Sequence, residues 1–138
     1  MPEKFGTLDY RNVTTQEIER AKKILPIVSI QNRYNITDRD SEGVLSYCEK
    51  EKMGFLPWAP VGGSGRSSLT KAGNPLEAEA KRHNVSAVQL ALAWLLQKSP
   101  VMLPIPGTSS LQHLEENMAA AKLQLTPDDW KRIELTKS

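Results

Sequence analysis

The stretch SAVQLALAWLLQKSPVMLPIPGTSSLQHLEEN, Ser86 to Asn117, decides the fold. Its first part is apolar over most of a helical surface, and Ser86 with Gln89 stands in capping-box positions, so a well-buried helix is expected. VMLPIP, residues 101–106, is an apolar run of strand length. Pro106 and Gly107 break it, and Ser109 or Ser110 then caps a further helix carrying Leu111, Leu114 and Met118. One stretch thus reads as helix, strand and helix.

The same alternation continues on both sides. Upstream, TTQEIERAKKIL offers Thr14 as a cap with Glu17 three residues on, and Ile18, Ala21, Ile24 and Leu25 at helical spacing. PIVSIQ, residues 26–31, is a short β-branched run without clean alternation, as for a strand buried on both faces. SEGVLSYCEKEKM, residues 41–53, reads as a helix stopped by Gly54, and GFLPWA follows as a second strand. PVGGSGRSSLTKAGNP, residues 60–75, carries four glycines that deny it regular structure. PLEAEAKRH and TPDDWKRIEL supply two more helices, the latter with Thr126 as cap and Pro127 at its first position. Helices between strands imply a parallel sheet, because parallel neighbours need a crossover. The expectation is one α/β domain over residues 1–138, with three or four parallel strands and outer helices. Such a sheet, covered on one face only, leaves the other face bare.

Composition narrows the function classes. With 39% hydrophobic and 25% charged residues the chain is in the range of a soluble globular domain. Eighteen basic and sixteen acidic residues, scattered to a net charge of +2, offer no basic block for a nucleic acid or an anionic membrane. The single Cys48 excludes an internal disulfide, and no Cys/His set has zinc spacing, which favours a reducing, cytoplasmic setting. No apolar run has the length of a membrane span.

IVSIQNRYN, SEGVLSYCEKEKMGFLPWAP, SAVQLALAWLL and IPGTSSLQHLEEN, in this order and spacing, resemble the aldo-keto reductases. These are NADP(H)-dependent oxidoreductases built on a (β/α)8 TIM barrel. The resemblance runs from about Asn12 to the C-terminus and implies the C-terminal half of that barrel. It places Gly107, Thr108 and His113 at the 2'-phosphate of NADP(H), and Glu116 and Asn117 at its adenine. Asn12 and Gln31 would meet the nicotinamide carboxamide, and Trp58 would stack on the nicotinamide ring. Ala59, Val61 and Gly63 would lie along the pyrophosphate. Backbone donors at a helix start suit such an anion, and barrels of this kind often hold phosphate in the loops after their last strands.

Singly, each residue has a plainer reading. Gly107 to Ser109 would be an ordinary cap, Trp58 a core residue, His113 a solvent-facing one and Gln31 a partner for nearby backbone. Glu116 and Asn117 would decorate an exposed helix face. The family's Asp, Tyr, Lys and His tetrad finds no counterpart in Tyr10, Tyr34, Tyr47, Asp38, Asp40 or His83, and Arg11 stands where the family has a serine. The expected function is therefore the NADP(H)-binding half of an aldehyde or ketone reductase, inactive alone. A homodimer, or a complementary N-terminal half-barrel chain, would cover the bare face. Two alternatives stand beside it: a non-catalytic interaction module with relic cofactor motifs, and a piece of a longer enzyme.

Overall fold

A computed structural model of the chain describes residues 12–62, 69 and 72–135. Thr14 opens α1 (Thr15–Lys22) with a reciprocal cap: its hydroxyl accepts from Glu17 N–H, and its own N–H donates to the Glu17 carboxylate at 2.8 Å. The chain continues into β1 (Ser29–Arg33), crosses through α2 (Glu42–Glu51), and returns as β2 (Gly54–Trp58). The two strands are parallel, in register from Ser29↔Gly54 to Arg33↔Trp58. Then come α3 (Glu77–Arg82), α4 (Ala87–Lys98), α5 (Leu111–Ala119) with a 3-10 turn at Ala120–Lys122, and α6 (Pro127–Leu135). No helix among the described residues is long and apolar enough to cross a membrane.

Alternation along the strands decides which face is covered. β1 buries Ile30 and Asn32, and β2 buries Phe55 and Pro57, on the side of the helices. There α4 buries every residue from Ala87 to Leu95 except Gln89. Its Trp94 stacks on Tyr34 with ring centroids 6.0 Å apart, and Tyr34 meets Phe55 edge-on at 5.8 Å. Arg39 lies over Trp94, 4.5 Å from the ring centroid, and reaches both Glu134 carboxylate oxygens at 2.7 Å, tying the loop after β1 to α6. Cys48, on α2, is sealed in this core, and burial pushes its thiol pKa up to about 11, so it is an inert packing residue. On the opposite face Ser29, Gln31, Leu103 and Ile105 are exposed and Arg33, Leu56 and Trp58 half-buried. Among the described residues, the bare face expected from the sequence is present.

Three expectations need correction. The three or four strands reduce, among the described residues, to two strands and one parallel bridge, Phe55↔Met102. Phe55 N–H donates to Val101 and Leu103 N–H to Phe55, both at 2.8 Å. The next donor from β2 would be Pro57, which has no N–H, and Pro104 and Pro106 interrupt the facing segment, so the ladder stops. Secondly, β1 lies at Ser29–Arg33 rather than at residues 26–31, because Gly54 N–H bonds Val28 and sets the register. Thirdly, the left-handed residue ending α2 is Lys52, φ 55°, not Gly54. Gly54 instead sits close to Leu103: a Cβ there would lie 3.3 Å from Leu103 Cδ1.

Candidate functional site

Both strands end on the same side, at Arg33 and Trp58, and there the loop after β2 and the segment leading into α5 enclose a cleft of about 460 Å³. One wall is the loop from Ala59 to Gly62; the other runs from Ile105 to Ser109 and closes on His113. The first wall turns sharply because Ala59 adopts φ 50° and Gly62 φ 90°, left-handed conformations that cost an alanine about 1–2 kcal/mol and a glycine little. The Ala59 carbonyl accepts from Gly62 N–H and from Asn35 Nδ2, each at 3.0 Å, which holds the turn. Asn35 is itself buried, its Oδ1 accepting from Thr37 N–H and Asp38 N–H at 2.9 Å. One amide side chain therefore fixes the loops after both strands.

On the second wall, Thr108 Oγ1 accepts from Ser110 N–H at 3.1 Å, and Ser110 Oγ accepts from His113 N–H at 3.4 Å, capping α5. Of the two candidates for this cap, Ser110 is the one used. Helix geometry gives the amides of Leu111 and Gln112 no intrahelical acceptor, so the helix presents donors and its positive dipole end here. A Cβ at Gly107 would meet nothing within 4 Å, so the backbone beside it faces open space.

Five of the residues named from sequence thus share one cleft: Ala59, Val61, Gly107, Thr108 and His113. Glu116 and Asn117 follow His113 by three and four residues on α5, hence on the same helix face. Glu116 accepts from Gln112 at 3.3 Å. Both amide atoms of Asn117 are shut from solvent without a hydrogen-bond partner among the described residues. Gln31 and Trp58 stand on the bare sheet face, Trp58 directly before Ala59 and Gln31 farther from the strand end. Gln31 borders a separate groove of about 340 Å³ against α1. Asn12 is exposed, with its Oδ1 accepting from Arg33 N–H at 2.6 Å. Gly63 lies outside the described residues, as do Tyr10 and Arg11.

No tyrosine lines the cleft among the described residues. Tyr34 is fully buried and donates to Glu42; burial first, and that carboxylate second, push its hydroxyl far above the ordinary range. Tyr47 donates to Glu19 on α1, which raises its pKa. Neither is placed to protonate a substrate here. Arg33 was missed from the sequence. Its guanidinium lies over the Trp58 indole, 5.4 Å from the ring centroid, and its Nε is 2.8 Å from Asp38 Oδ2. Two-residue periodicity from Gln31 would have placed it on the same face.

A dinucleotide phosphate fits what this geometry offers: an open glycine backbone, a hydroxyl and helix-start amides. The model of the aldo/keto reductase family matches residues 7–136. Similar proteins include an uncharacterized oxidoreductase of Schizosaccharomyces pombe, 44% identical over 122 residues, covering 88% of this chain and 39% of that protein. Pyridoxine 4-dehydrogenase of Escherichia coli is 40% identical over 117 residues, covering 85% and 40%. A thermostable aldo-keto reductase crystallised with the inhibitor epalrestat superposes with a TM-score of 0.78 at 32% identity, over 91% of this chain and 46% of that one. An aldo-keto reductase of Klebsiella pneumoniae, solved with NADPH, has the same TM-score at 22% identity and shares the fold. The chain spans 39% and 40% of the length of the two curated relatives.

Proposed function

The chain belongs to the aldo/keto reductase family, and from that premise we propose that it is the NADP(H)-binding part of an oxidoreductase that reduces an aldehyde or ketone. One observation carries the reading. The loop after β2 and the start of α5, far apart in sequence, meet in one cleft and bring Ala59, Val61, Gly107, Thr108 and His113 together. Gly107 leaves room for close approach, and the Thr108 hydroxyl with the α5 amides would hold the 2'-phosphate. His113 would border that phosphate, and Glu116 and Asn117 would meet the adenine farther along the helix. Trp58 would stack on the nicotinamide ring, beside the Ala59 turn. When bound, the cofactor supplies a hydride; the protein orients it. The general acid toward the carbonyl belongs, on this reading, to a second half-barrel that closes over the bare sheet face, either another copy or a complementary N-terminal half.

Titration of the chain with NADPH, NADH and the Thr108→Asp variant tests this. An aspartate at 108 keeps an acceptor for Ser110 N–H, so the cap survives, but sets a carboxylate against the 2'-phosphate. The expected result is saturable NADPH binding, weaker NADH binding, and loss of the NADPH preference by at least about tenfold in the variant. Equal NADPH affinity in chain and variant would overturn the assigned site and leave an interaction module as the better reading.

A further inference from the structure

Among the ten residues of β1 and β2, Arg33 carries the only charged side chain. It ends β1, opposite Trp58 in the parallel register, on the bare face. Three contacts hold it. Its backbone N–H donates to Asn12 Oδ1 at 2.6 Å, its Nε lies 2.8 Å from Asp38 Oδ2, and its guanidinium covers the Trp58 ring at 5.4 Å. Asp38 is fixed in turn, its N–H donating to Asn35 Oδ1 at 2.9 Å. A long side chain gives up rotamer freedom to be held this way, and 39% of the Arg33 side chain nevertheless remains exposed to the space over the sheet.

This placement bears on the proposed cofactor site and rests on that reading. A nicotinamide ring stacked on Trp58 would take the place of the guanidinium over the indole and move it to the ring's edge, where the ion pair with Asp38 holds it. At that edge the positive charge stands beside the ring, tethered by Asp38. The oxidised ring of NADP+ is itself a cation, whereas the dihydro ring of NADPH is neutral. We propose that Arg33 makes the site discriminate between the two redox states, binding NADPH more tightly than NADP+. Asp38, the acid that faces Arg33, offsets part of its field, so the discrimination is on the order of three- to tenfold rather than thousands. A tenfold preference would raise the potential of the bound couple by about 30 mV, favouring oxidation of the neutral form less than in water.

Dissociation constants for NADPH, NADP+ and adenosine 2',5'-bisphosphate, measured calorimetrically on the chain and on Arg33→Gln and Arg33→Lys, decide it. The chain is expected to prefer NADPH over NADP+ by three- to tenfold at low salt. Arg33→Gln should bring that ratio close to one while leaving the bisphosphate affinity unchanged, and Arg33→Lys should retain most of it. An unchanged ratio in Arg33→Gln, or equal weakening of all three ligands, would make Arg33 a structural residue and overturn the inference. Failure of the unsubstituted chain to bind even the bisphosphate would instead overturn the cofactor site itself, and the inference with it.

Discussion

Asn35 is a single buried side chain on which the site depends. Its amide accepts from the backbone at Thr37 and Asp38 and donates to the Ala59 carbonyl, so it couples the cleft wall to the brace of Arg33. Asn35→Ala would remove the side-chain hydrogen bonds to Thr37, Asp38 and Ala59, at a cost of about 3 kcal/mol. Denaturant unfolding should show that loss, and NADPH affinity should fall with it at temperatures where the variant is still folded. Unaltered affinity in a folded variant would mean the loop keeps its shape without this amide. Gly107 and Thr108 were legible as a helix start, because a glycine and hydroxyls before an amphipathic run signal one, and only the family resemblance made them cofactor candidates. Asn35 and Arg33 were not. Nothing in NRYN distinguishes an asparagine that bonds a carbonyl 24 residues away from one in a polar loop, since the pairing exists only after β1 and β2 are in register.

Helix α6 shows what an element's own sequence can and cannot disclose. Thr126 and Pro127 announced its start, and the structure adds the reciprocal contact: Thr126 N–H donates to Asp129 Oδ2 at 2.7 Å, and Asp129 N–H to Thr126 Oγ1 at 3.2 Å. The link to α3 was hidden. Arg132 bonds Glu79 at 2.7 Å and also pairs with Asp129, while His83 Nε2 stands 3.2 Å from Asp129 Oδ2. Glu79 and Asp129 are both 4% exposed, and the guanidinium that bridges them makes this group a clamp between two helices rather than a cation site. Burial would raise the Asp129 pKa, but the Thr126 hydrogen bonds outweigh it and hold the carboxyl at about 2 against an ordinary 3.8. The unfolded chain therefore takes up this proton first as pH falls. The stabilisation is complete above about pH 5 and is lost between there and about pH 2. Unfolding of the chain and of Asp129→Asn should differ at neutral pH, with the difference shrinking through that window. A gap that stays constant down to about pH 2.5 would show that hydrogen-bond geometry, not charge, is what Asp129 contributes. The strands were less legible than the helices, because prolines at 57, 104 and 106 look like strand punctuation yet decide how far a ladder can run.

At the scale of the molecule, three surfaces ask for a cover. Among the described residues, the sheet is bare on the side of Gln31, Leu103 and Ile105; α5 exposes Leu111, Leu114 and Met118 along one stripe, at 71%, 49% and 67% exposure; and the outer edge of β1 is met by the segment at Val13. Asn32 covers that edge locally, its Oδ1 accepting from Val13 N–H and its Nδ2 donating to Val13 carbonyl, both at 2.9 Å. Parallel sheets persist almost only with both faces covered, and a contiguous exposed apolar surface marks a place where something binds. The solved structure with which the chain superposes is about twice its length, which is room for such a cover. Proposed for this chain is a second half-barrel, and a second copy is the simplest source because cyclic pairs are the commonest assemblies. Native mass spectrometry over increasing NADPH should then show a dimer with one NADPH per chain, and Leu103→Lys should shift it toward monomer. That substitution places a charge on the bare face away from the residues assigned to the phosphate, so each monomer should keep its NADPH. A chain that remains monomeric at every concentration, and whose NADPH uptake is indifferent to Leu103→Lys, would remove the homodimer. The cover would then have to come from a complementary half, and mixing with an N-terminal half-barrel of the family would have to restore both the assembly and carbonyl reduction.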